Sequence, residues 1–184
     1  MGRPFEPFAQ GDFDSLCGVH AIINALYGLC PDMSDRHAEA LFNRLIAAIA
    51  IRRSNPLQVV WRGMDGSLLR HLLELAIEYV EQKYSIKLTQ SRIGQETQRL
   101  SLHQVIEALG QRLEAGALAI VLLGGRSSHW TVAYKVTSKK IRLLDSNDRR
   151  SIRRKHCTLA ASRKHHRLVR REIVLVSKLP QAIR

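Results

Sequence analysis

The segment HWTVAYKVTSKKIRLLDSND, residues 129–148, alternates apolar and polar side chains, breaks at a polar turn, and runs apolar again to an Asp/Asn-rich end. A period of two predicts strands, because successive side chains point to opposite faces of a sheet. HWTVAYKV and KIRLLD therefore read as an antiparallel pair, joined by a hairpin through TSKK with its turn near Ser138. ALAIVLL (117–123) before them and REIVLV (171–176) after them read as further strands, and SIKLT (85–89) as a short one.

Upstream of Gly116 the period is helical. Residues 17–29 carry Val19, Ile22, Ile23, Leu26 and Leu29 on or near one face. CPDMSD interrupts that run, and Ser34 or Asp35 is placed to cap a second helix to about Arg52, with Leu41, Leu45, Ala48 and Ile49 inward. RSNPLQVVWRGMDGS (53–67) reads as a loop with a short extended piece. A third helix covers about 67–83 on a stripe of Leu68, Leu72, Leu75, Ala76 and Tyr79. Ser101 and Gln104 fit the capping-box pattern, in which each side chain satisfies a free backbone N–H near the helix start. The helix behind them uses Leu102, Val105, Ile106, Leu109 and Leu113. Helices first and an antiparallel sheet second give an α+β fold, the N-terminal helices packed on the C-terminal sheet.

The 184 residues fit one domain, 1–184, and the 45% apolar content excludes general disorder. No run approaches the ~18 apolar residues of a membrane span. The N-terminus MGRPFEPFAQGDF has no apolar signal region, and Glu6 suits a myristoylation signal poorly. The expectation is a cytoplasmic protein with no membrane partner. Cys17, Cys30 and Cys157 are odd in number, widely spaced and match no zinc pattern. No metal or cofactor is expected, and the thiols are expected to be reduced.

A second segment bears on chemistry. In AQGDFDSLCGVHAIINAL, residues 9–26, a polar entry gives way to a helix at Cys17. A thiol attacks as its thiolate, and a helix N-terminus or a cationic histidine favours that form. A cysteine there also suits plain packing as a small hydrophobe. Gly18 behind it leaves room for a substrate backbone. A base must come from elsewhere in the chain. His129, opening a strand after GGRSS, is the best placed, at the sheet edge with Trp130 on the opposite face. His20 lies one turn further into the helix than the thiol. The hairpin returns Asp145 beside His129, where a carboxylate would hold the imidazole in its working tautomer. Asn147 could serve instead, and DSND is also an ordinary turn composition. An oxyanion site would draw on the Cys17 backbone N–H and the Gln10 side chain. Trp130 and Trp61 read first as core residues and second as walls of a cleft.

Taken in this order, Gln10, Cys17-Gly18 at a helix start, His129-Trp130 opening a strand and Asp145 ending the next, the sequence resembles the papain-like cysteine peptidase superfamily. Within it the likeness is to compact bacterial-type peptidases and to the Josephin deubiquitinase domain. SLCGVHAIINAL is similar to the nucleophile helix, GMDGSLLRHLLELA to a Josephin Met-Asp-x-Ser segment, and REIVLVSKLP to the closing strand. The likeness covers about residues 9–180. It implies a papain-like fold with Cys17 as nucleophile, His129 as general base and acid, Asp145 as orienter and Gln10 as oxyanion donor. It also implies a protein or peptide substrate cleaved after a glycine-rich or ubiquitin-like tail. The spacing from Gln10 to Cys17 is a little longer than usual there.

Residues 149–171 have no counterpart in those families. Lys and Arg number 29 in the chain against 16 acidic residues, and ten of the 29 lie in this segment, which has no Asp or Glu. Arg149, Arg150, Arg153, Arg154, Lys155, Arg163, Lys164, Arg167, Arg170 and Arg171 could meet a phosphate backbone, dock an acidic protein, or form a solvated surface. Without interleaved aromatics, stacking on single strands is not expected. Three functions follow as expectations: a thiol peptidase, an acyl transferase on the same triad, or a non-catalytic module binding nucleic acid or an acidic protein.

Overall fold

The hairpin at 129–148 forms in the computed structural model, which describes residues 5–11, 15–53, 55–93, 100–125, 128–161 and 166–179. Its strands are β3 (His129–Val136) and β4 (Lys140–Leu144), paired antiparallel with Val132 opposite Leu144 and Val136 opposite Ile141. Thr137 closes the turn: its N–H donates to Lys140 O at 2.8 Å, and Lys140 N–H donates to Thr137 Oγ1 at 3.0 Å.

Around the hairpin lie α1 (Cys17–Leu29), α2 (Asp35–Arg52), α3 (Leu57–Arg62), α4 (Gly66–Tyr84), β1 (Leu88–Arg92), α5 (Leu102–Glu114) and β2 (Leu118–Gly124) before it. After it come β5 (Ser151–Arg153), a 3-10 turn (Arg154–His156), β6 (Cys157–Thr158) and β7 (His166–Lys178). The sheet runs β1-β7-β2-β3-β4-β5 with antiparallel neighbours, and two-residue β6 joins β7 in parallel. The chain is α+β, with helices mostly first and the sheet mostly last.

Alternation along the strands divides the core. Ile120, Trp130, Val132, Leu144, Val174 and Val176 pack with α1, α2 and α4 on one face. Ala119, Val121, Ala133, Ile141, Leu143 and Leu175 pack with α5 on the other. The helices therefore cover both faces of the sheet, not one. α4 buries Leu69, Leu73, Ile77 and Val80 as well as Leu68, Leu72 and Ala76, while Leu75 and Tyr79 are only half-buried.

Three helices carry side-chain caps at their starts. Ser34 accepts from His37 N–H, Asp65 from Leu68 N–H, and Ser101 with Gln104 makes the full capping box. The first helix differs. α1 has no side-chain cap and no acidic residue in its first turn, so the positive end of its dipole is not offset locally.

One stretch departs from the sequence reading. Residues 53–67 hold a short helix, α3, where a loop is expected. Only Val59 of its six residues is buried, so no apolar stripe marks it. Trp61 projects from it, 67% exposed, and is neither core nor cleft wall.

Candidate active site

Cys17 is the first residue of α1, and three segments converge on it. The chain just before the helix is fixed to α3: Ser15 N–H donates to Val60 O at 2.7 Å, and Ser15 Oγ donates to Trp61 O at 3.2 Å. From behind, Met64 fills the space over Gly18, where a β-carbon would lie 2.6 Å from Met64 Sδ. Gly18 thus makes room for Met64, not, as the sequence reading has it, for a substrate backbone. From the sheet, the main-chain N–H of Trp130 donates to Cys17 Sγ at 3.4 Å.

His129 sits at the end of β3, which is an interior strand with β2 and β4 on either side, not at the sheet edge. Its Nε2 lies 3.0 Å from Asp145 Oδ2. It lines the same cavity as Cys17, and with Nε2 given to the carboxylate, Nδ1 is the ring nitrogen left. Burial works against charge on His129. The hydrogen bond and charge of Asp145, together with the nearby Cys17 side chain, outweigh it and hold the imidazole up at about 9.

Asp145 has its carboxylate fully buried. Burial alone would raise it. The hydrogen bond and charge of His129, with the hydrogen bond from the Asn147 N–H, hold it below the usual carboxylate range instead. Oδ1 accepts from Asn147 N–H at 2.9 Å and from Arg149 N–H at 3.4 Å. The group that holds His129 is therefore Asp145. Asn147 contributes its backbone N–H, and its side chain is exposed.

Gln10 reaches the same place. Its N–H donates to Ser146 O at 3.0 Å, and Ser146 Oγ donates to its side-chain Oε1 at 3.3 Å. Gln10 also lines the cavity that holds Cys17.

These groups line a cavity of about 240 Å³, together with Arg62, Met64 and Arg149. Cys17 is only 6% exposed, yet the exposed part faces this cavity. His20 lies away from it, with its ring against Phe42. The other two thiols, Cys30 and Cys157, are buried, and burial pushes each up to about 11.

Neither a family model nor a curated protein matches this sequence. Among the described residues no cluster of His, Cys, Asp and Glu could hold a metal ion, and no helix is long and apolar enough to cross a membrane.

Sequence reasoning brought Cys17, His129, Asp145 and Gln10 forward, and the fold brings all four together. It missed Ser146, Met64 and the Trp130 N–H. Ser146 was hidden in a turn composition, and a backbone donor leaves no sequence signal at all. Of the basic segment, Arg163 and Lys164 lie outside the described residues. Arg154 is spent on structure, its Nη1 donating to Thr137 O and Ser138 O at 3.3 and 3.4 Å. Arg150 lies 3.6 Å from Asp148, Arg153, Arg167 and Arg171 are exposed, and Arg170 is half-buried. Among the described residues the segment runs through β5, the 3-10 turn, β6 and the start of the 13-residue β7.

Proposed function

We propose that this chain is a cysteine peptidase of papain-like fold, a thiol hydrolase acting through Cys17, His129 and Asp145. The observation that carries the reading is the position of His129, which shares one cavity with Cys17 and has its Nε2 3.0 Å from the buried Asp145 carboxylate. A nucleophile, a base and an orienter in that linear order are what acyl transfer to sulfur needs.

The sulfur attacks the substrate carbonyl as a thiolate, favoured by the His129 imidazolium, the start of α1 and the Trp130 N–H. The carbonyl oxygen gathers charge. The Cys17 main-chain N–H and Gln10 Nε2 are the donors for it. His129 gives its proton to the leaving amine, and a thioester remains on Cys17. His129 then draws a proton from water, which attacks the thioester and restores the thiol. Asp145 stays ionised throughout and fixes the ring.

The cavity of about 240 Å³ suits small side chains at the scissile residue, in keeping with a protein or peptide substrate ending in a glycine-rich or ubiquitin-like tail. Three free thiols suit a reducing, cytoplasmic setting.

The test is release of a fluorescent amine from short peptides ending in Gly-Gly. The intact protein is expected to release it with a thioester on Cys17 trapped by mass spectrometry. Cys17→Ala is expected to abolish release, and His129→Ala to slow it at least ~10³-fold. An added acceptor amine separates hydrolysis from acyl transfer by the product formed. No release, with a Cys17 no more reactive than Cys30, would sink the proposal.

A further inference from the structure

Two arginines line the cavity that holds Cys17, and they come from different parts of the chain. Arg62 ends α3, on the side fixed to Ser15. Arg149 follows the turn that carries Asp145 and Ser146. Among the described residues Arg62 meets no carboxylate and no hydrogen-bond acceptor. The Arg149 guanidinium meets the His166 ring at 3.5 Å, a neighbour that brings no negative charge. Among the described residues Asp145 is the one carboxylate lining the cavity, and its side chain is buried against His129. The described walls therefore present two guanidinium groups and no accessible anion.

A guanidinium is a fork of donors that matches a carboxylate in shape as well as in charge. Placed in a recess with low-dielectric walls, such a pair raises the local concentration of anions. Some arginines elsewhere are met by acids, as Arg53 is by Asp65 at 2.7 Å and Arg70 by Glu172 at 2.8 Å, while others such as Arg153 and Arg167 are simply exposed. What sets Arg62 and Arg149 apart is that both line the cavity that holds Cys17.

We infer that Arg62 and Arg149 form a carboxylate-binding subsite flanking Cys17, so that the substrate carries a negative charge within a residue or two of the acyl group that Cys17 attacks. This rests on the peptidase reading for the word substrate. The subsite itself depends only on the cavity and its charges. The carboxylate comes either from an Asp or Glu side chain next to the scissile residue or from a free C-terminus.

The test uses two alkylating reagents of similar size, neutral iodoacetamide and anionic iodoacetate, both of which form an S–C bond at Cys17 and expel iodide. The rate ratio of iodoacetate to iodoacetamide cancels thiol activation and reports the field in the cavity. It is expected to fall about tenfold in the double variant Arg62→Gln/Arg149→Gln. In the native protein it is expected to fall as salt is raised. The peptides acetyl-Gly-Glu-Gly-amide and acetyl-Gly-Gln-Gly with a free carboxylate are then compared as protectants of Cys17 against iodoacetamide. Stronger protection by the first assigns an acidic side chain, and by the second a free C-terminus. Both are judged against acetyl-Gly-Gln-Gly-amide.

Three results would overturn the inference. One is a ratio unchanged in the double variant. Another is an equal fall in Arg153→Gln/Lys155→Gln, which lie outside the cavity and report only overall charge. The third is no better protection by either carboxylate than by the neutral peptide. A slow iodoacetamide reaction in the native protein speaks instead against the activated thiol, and so against the peptidase reading.

Discussion

The main-chain N–H of Trp130 points at the sulfur of Cys17 from 3.4 Å away. The two residues are 113 positions apart and belong to a strand and a helix. The Trp130 indole N–H also donates to Met64 O at 3.0 Å, and Met64 in turn fills the space over Gly18. One residue thus touches Cys17 directly and braces the segment behind it.

Trp130→Phe keeps an aromatic ring and the backbone donor but removes the indole N–H. Met64 O then loses its partner in a buried setting, which costs ~1–3 kcal/mol. Urea unfolding is expected to show that loss. A variant as stable as the parent would mean that the bond to Met64 O contributes nothing.

Selective reactivity is expected of one thiol in three. Cys30 and Cys157, pushed up to about 11 by burial, are ionised at neutral pH only on the order of 1 part in 10⁴. Iodoacetamide at pH 7 is expected to label Cys17 at least ~100-fold faster than either. Peptide mapping by mass spectrometry reads the three sites separately. Slow, even labelling would argue for a packing role for all three.

The pH dependence has a definite sign. His129 is raised from the ordinary 6.5 to about 9. Its contribution to stability is therefore complete below pH 6.5 and lost as pH rises through about 9. The size is on the order of 3 kcal/mol. Asp145 is lowered, so its share is present above the usual carboxylate range and disappears as pH falls through its folded value. Urea midpoints are expected to decline between pH 6.5 and 9 in the parent. In Asp145→Asn they are expected to start lower and decline less. Peptide turnover, which needs a proton on His129 for the leaving amine, is expected to fall on its alkaline limb through about 9. Asp145→Asn is expected to shift that limb to lower pH and to reduce kcat by ~10²–10⁴.

Gln10 and Ser146 separate donation from positioning. Gln10→Ala removes an oxyanion donor and is expected to lower kcat ~10²–10³-fold with KM little changed. Ser146→Ala leaves the amide in place but frees its Oε1 to turn, and a smaller loss, about tenfold, is expected. Steady-state kinetics on one peptide read both. A Ser146→Ala loss equal to that of Gln10→Ala would assign the donor role to Ser146.

The parts of this structure that were legible in sequence are those with a period or a cap. The bounds of α1, the Ser34 cap of α2 and the Ser101–Gln104 box stand in the structure as the residues predict, because each is set by local chemistry. The His129 strand and the return of Asp145 were readable for the same reason: a hairpin fixes who faces whom. α3 was not, since a six-residue helix with one buried side chain carries too little pattern. Nor was the placement of α5 on the far face of the sheet, which is decided by packing at long range. The purpose of Gly18 was misread because Met64, its neighbour in space, is far off in the chain.

Cys17 leads and His129 follows more than a hundred residues later, on a strand held between two others. During synthesis the thiol emerges long before the imidazole that would activate it. Until β2, β3 and β4 have zipped together and α1 has docked on them, Cys17 is an ordinary side chain on an unfinished polypeptide. In a thiol peptidase built this way, the order of the residues along the chain acts as a safety catch: a nascent product cannot turn its own cysteine on itself or its neighbours.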